Sequence, residues 1–162
     1  MPQIKIKESE TNEWKTIIIT QKQFQSLHDL SEATTNHDVL LKEIENLNTT
    51  PEIKSFLETV LNFTIDAGGK IIKVGSKIIE LIIGISKNFP KATIGLIVGL
   101  VIGKIISKIP ILGWALNWII TPLTAIVGIT IGVKNDLEDK DLIDEAEKKI
   151  DNMFSGIKDI RI

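Results

Sequence analysis

Cysteine is missing from all 162 residues, which removes disulfides, thiol nucleophiles and cysteine-based zinc sites and leaves the redox compartment open. Tyrosine is missing too, and of the nineteen basic residues only Arg161 is an arginine. Lysine in place of arginine, with abundant isoleucine, points to an A/T-rich coding sequence of bacterial or phage type. The opening MPQIKIKESE has no apolar core of the kind a secretory signal carries, so the N-terminal arm is expected to begin in the cytoplasm. A formal net charge of -2 offers no basic stripe, and no nucleic-acid partner is expected.

Chemical motifs are equally scarce. No GxSxG, HExxH or GxGxxG occurs, so the chain is not expected to be an enzyme, and no catalytic residue, cofactor or metal is assigned. His28 and His37 each precede an aspartate, but no further histidine or cysteine completes a metal shell, and solvated histidines account for both. Gly99-Leu-Val-Ile-Gly103-Lys104 has one residue too few for a phosphate loop and no Ser or Thr after the lysine. The acids from Asp136 to Glu147 lack the glycine and spacing of a calcium loop and read as a solvated helix face.

Hydrophobic sequence, in contrast, is plentiful. Residues 92–133 contain only two charges, Lys104 and Lys108. A membrane span takes about 20 apolar residues, so this block has the length of two crossings. A single crossing would carry both lysines near mid-bilayer at about 2.5–3.5 kcal/mol each. Two crossings place Lys104, Lys108, Trp114 and Trp118 together at one interface, where lysines snorkel and tryptophans settle. Gly95, Gly99 and Gly103 form one small-residue seam, and Thr121, Ala125, Gly128 and Gly132 form a second. These seams predict a homo-oligomer, the alternative being that they close the hairpin internally. Pro122 leaves two arrangements for the second segment: a plain span over 111–133, or an interfacial piece followed by a re-entrant one.

Before the block, Gln3–Lys7 and Trp14–Ile19 alternate apolar and polar around a polar turn, predicting a β-hairpin. Thr20 and Gln23 open a short helix as a capping box, and Asn36 caps another. Thr50-Pro51 starts what reads as one long helix to residue 89, with an apolar arc wider than a solvent-facing helix needs and a bend at Gly68-Gly69. Lys70, Lys73, Lys77, Lys87 and Lys91 give it a basic stripe suited to an anionic membrane surface, or else it is the core helix of a bundle. From Lys134 to Glu147, seven acids stand against two lysines, which suggests pairing with Lys70–Lys77. Ile157–Ile162 reads as a last strand beside the N-terminal hairpin.

The expected fold is mainly α. It comprises a small cytoplasmic α+β module (1–49), a long amphipathic juxtamembrane helix (50–89), a two-helix transmembrane hairpin (90–133) and a C-terminal acidic helix with a strand (134–162). Lysine distribution places the protein in the inner membrane with both termini cytoplasmic. An apolar hairpin flanked by amphipathic helices is similar in general arrangement to membrane-inserting toxins, a likeness carried by no specific motif.

Three functions follow as expectations. The first is a pore-forming or membrane-perturbing effector of toxin, holin-like or antiviral defence type, its partners the lipid bilayer and its own copies, with Lys104 and Lys108 at a pore mouth as in an ion channel. The second is a membrane anchor holding a cytoplasmic module that binds a protein partner. The third is a helical bundle with a buried hairpin that inserts only on triggering.

Overall fold

The computed structural model of the chain describes residues 1–7, 13–32, 35–117 and 137–160. The N-terminal arm obeys its alternation: β1 (Gln3–Lys7) pairs antiparallel with β2 (Trp14–Ile18), Ile4 opposite Ile17. Ile4, Ile6 and Ile17 turn inward, while Trp14, Thr16 and Ile18 face out. The capping box then forms reciprocally at the start of α1 (Gln21–Glu32). The Thr20 N–H donates to Gln23 Oε1 at 2.9 Å, and the Gln23 N–H donates to Thr20 Oγ1 at 3.1 Å. Asn36 caps α2 (His37–Glu45), and Thr50 with Pro51 starts α3 (Pro51–Leu61).

The long helix expected from residue 50 to 89 does not form. It is divided by a hairpin, β3 (Ile65–Ala67) and β4 (Lys70–Ile72), and resumes as α4 (Val74–Asn88). Gly68 and Gly69 are the whole turn, at φ +64° and +90°, values that a two-residue I′ hairpin requires of both central residues. Asp66 Oδ1 accepts the Gly69 N–H at 2.8 Å and braces it. The hairpin persists because β3 adds to β1, with Ile6 opposite Ile65 and Ile4 opposite Ala67, giving a four-stranded antiparallel sheet in the order β2-β1-β3-β4. Sheet pairing thus replaces the helical hydrogen bonds that two consecutive glycines weaken. The position beside the N-terminal ribbon is taken by β3. The expected C-terminal strand is absent among the described residues, where 155–159 are turns with Ile157 buried.

Three further helices complete the described chain: α5 (Ile94–Lys108), α6 (Pro110–Leu116) and α7 (Leu137–Phe154). The centre of the molecule is α4, which packs against α1, α2, α3, α5 and α7 and buries all but a few of its side chains. Its wide apolar arc is therefore covered by neighbouring helices. At its first turn a Cβ on Gly75 would meet the Val60 carbonyl oxygen at 1.9 Å, so α3 and α4 approach as closely as a glycine allows.

These features correct the transmembrane reading. Among the described residues no helix is long and apolar enough to cross a membrane. The first expected span is held to fifteen residues between the Thr93 cap and Ile109, whose extended backbone is that of a residue preceding proline. At about 1.5 Å per residue α5 is about 22 Å long, short of the roughly 30 Å of a hydrocarbon core. Buried Ile97, Val98, Val101, Ile102 and Ile105 find their apolar surroundings within the protein. The transmembrane hairpin, the juxtamembrane helix, the ion-channel assignment and the inner-membrane placement with cytoplasmic termini lose their basis. Of the second expected span, α6 covers the start; Trp118, Thr121, Pro122, Ala125, Gly128 and Gly132 lie outside the described residues.

Candidate functional site

Helix α5 carries no charge until its last two turns, where Lys104 and Lys108 stand four apart and so share a face. On α7, Glu147 and Asp151 repeat that spacing. Lys104 Nζ lies 2.8 Å from Glu147 Oε1, and Lys108 Nζ lies 3.3 and 3.4 Å from the two carboxylate oxygens of Asp151. Both rungs join residues 43 apart in sequence, a constant offset that makes α5 and α7 parallel neighbours. The pairs are partly exposed, Lys104 at 32% and Glu147 at 36% of the side chain. The Lys104 ammonium, by hydrogen bond first and by charge second, holds the Glu147 carboxyl below the usual glutamate range, Lys108 assisting; burial and the nearby Asp151 oppose the shift.

The apolar body of α5 lies under this ladder. Gly99 is buried, while Gly95 and Gly103 are half-buried. Pro110 starts α6 at once, and the corner is tight: a Cβ on Gly113 would come within 2.5 Å of the Ile106 carbonyl oxygen. Trp114 is half-buried against the core, with Lys15 Nζ 5.5 Å from its ring centroid, a cation–π contact that ties β2 to α6.

The five lysines assigned to one basic stripe do not share a helix face. Lys70 opens β4 and Lys73 precedes α4, both exposed. Lys87 reaches Glu43 of α2 at 3.7 Å, and Lys91 is exposed beyond α4. Lys77 turns inward, only 8% exposed, with its ammonium 3.5 Å from Glu80. The acidic helix is drawn to Lys104 and Lys108 through Glu147 and Asp151. The two histidines stay apart: His28 stacks on Phe24 with centroids 4.4 Å apart, and His37 Nε2 lies 3.1 Å from Asn62 Oδ1. No group of three metal-ligating side chains is found among the described residues.

Reasoning from sequence missed Glu147, Asp151 and Glu80. The usable signal for the first two was the shared four-residue spacing of lysines on one apolar helix and acids on another. The arrangement is suited to holding an uncharged helix beneath an amphipathic one and to loosening when the carboxylates are protonated. Compared with protein families, with curated proteins and with solved structures, the chain has no match.

Proposed function

We propose that this protein is a membrane-perturbing effector that keeps the charge-poor helix α5 covered until its attachment to α7 loosens. One observation carries the reading: residues 94–103 of α5 are free of charge, and the two lysines that follow are both paired to α7. An ordinary core helix needs an apolar stripe only; α5 is apolar over nearly its whole surface and charged solely where its cover is attached. Once uncovered, a helix of this length lies in the lipid interface and wedges the acyl chains apart without crossing them. The Gly95, Gly99 and Gly103 seam then becomes available to other copies, so association of copies on the bilayer belongs to the same proposal.

The test is dye release from liposomes containing anionic lipid. The intact protein is expected to release little at pH 7 and substantially more near pH 3, because Lys104 holds the Glu147 carboxyl below the usual glutamate range. The variant Glu147→Gln with Asp151→Asn is expected to release dye at pH 7. Liposomes that stay sealed in both cases, with circular dichroism confirming folded protein at pH 7, would overturn the proposal and favour an adaptor that binds another protein.

A further inference from the structure

Helices α1, α4 and α7 line an open cleft of about 720 Å³ on the face of α7 opposite Glu147 and Asp151. Its size falls within the roughly 300–1,000 Å³ of small-molecule sites. Each helix contributes at helical spacing, so three regular faces converge. Asp29 and Leu30 come from α1, and Lys149 and Met153 from α7.

The third wall is α4, and it is unusual in two respects. Lys77 is the one charged side chain buried among the described residues. Burying a lysine is unfavourable unless it is paired, and even a paired one seldom adds stability. Here its partner Glu80 is itself fixed, one carboxylate oxygen accepting the Thr35 N–H while the other faces Lys77. The pair thus sets one held ammonium and one held carboxylate in the cleft wall. Gly84, one turn beyond Glu80, lines the same cleft, and a Cβ placed on it would meet nothing within 4 Å. A helix-interior glycine ordinarily weakens its helix without such a reason; Gly84 leaves the floor open, whereas Gly75 on the same helix permits a close approach.

The charges of the lining are balanced, Lys77 and Lys149 against Asp29 and Glu80, around the apolar Leu30, Leu81 and Met153, with Lys149 also 3.4 Å from Glu145 on its own helix and Asp29 accepting from Gln25 Nε2 at 3.0 Å. A plain anion meets two carboxylates there, and a plain cation meets two ammonium groups. From the buried Lys77–Glu80 pair, the open Gly84 floor and this balance, we infer that the cleft binds a small zwitterion with an apolar body, of amino-acid or dipeptide size. Its carboxylate lies toward Lys149 and Lys77, its ammonium toward Asp29, and its apolar part over Leu81 and Met153.

Isothermal titration of the full chain with L-methionine and with leucyl-leucine tests this. Binding of at least one is expected, together with about tenfold or greater weakening when both charged ends of leucyl-leucine are capped, the loss expected for charge-assisted contacts. Gly84→Leu fills the open floor and is expected to abolish binding while the circular dichroism spectrum is retained; Lys149→Gln, at the rim, is expected to weaken it about tenfold. Absence of binding by both probes, equal binding of the capped dipeptide, or undiminished binding by folded Gly84→Leu protein overturns the inference.

Discussion

The two glycines of α4 invite the same substitution with opposite outcomes. In Gly75→Ala the new methyl would lie 1.9 Å from the Val60 carbonyl oxygen and 2.9 Å from the Leu61 carbonyl, so backbone and not a flexible side chain must yield. The Gly75 N–H also donates to the Phe63 carbonyl at 2.9 Å, which keeps the helix start from sliding away. Overpacking of this kind typically costs about 1–3 kcal/mol, and the rigid neighbour places Gly75→Ala near 3. In Gly84→Ala the methyl meets nothing within 4 Å, and replacing a helix-interior glycine stabilises by about 0.5–1 kcal/mol. For a chain of this size 1 kcal/mol moves Tm by about 2–4 °C. Thermal unfolding followed at 222 nm should therefore show Gly75→Ala lowered by about 6–12 °C and Gly84→Ala raised by about 1–4 °C. A helix lying alone on a membrane surface would be stabilised by both. If the two shifts have the same sign, the packing of α4 between α3 and the other helices is wrong.

Three smaller effects are expected. Glu147→Gln should destabilise by about 0.2–1 kcal/mol at pH 7, the range of partly exposed pairs, in urea unfolding. Because Lys104 lowers the folded-state pKa of Glu147, that contribution is full above the ordinary glutamate value near 4.3 and fades as pH falls through the folded value; an equal difference between wild type and variant at pH 7 and pH 3 would refute the pairing. Thr20→Ala removes one half of the capping box and should cost about 1 kcal/mol, read by the same unfolding assay. Gly113→Ala drives a methyl toward the Ile106 carbonyl and should destabilise by about 1–3 kcal/mol, with a change in tryptophan fluorescence as Trp114 is displaced; no change in either would mean that the α5–α6 corner is looser than described.

Local features were legible because their partners lie within a few residues. The Thr20–Gln23 box, the Asn36 cap and the Thr50-Pro51 start each need only three or four residues of sequence to be recognised, and each formed. The β1–β2 alternation likewise dictated which isoleucines face inward. Gly68-Gly69 was visible but ambiguous: the same pair weakens a helix or turns a hairpin, and the choice was made by β1, some sixty residues upstream, which offered β3 an edge.

What the sequence determined by itself is which surfaces must leave water: the arc of α4 and nearly all of α5 had to be covered. It did not determine by what, since acyl chains and the side chains of other helices are equally apolar and periodicity records only the demand for burial. Tertiary structure supplied the cover. Packing α4 among five helices removed the need for lipid. The fold also brought Glu147 and Asp151 across 43 residues of sequence to Lys104 and Lys108, turning charges that resembled a membrane boundary into attachments for a neighbouring helix. Coulombic pairing depends on distance in space, and only the folded chain fixes that distance.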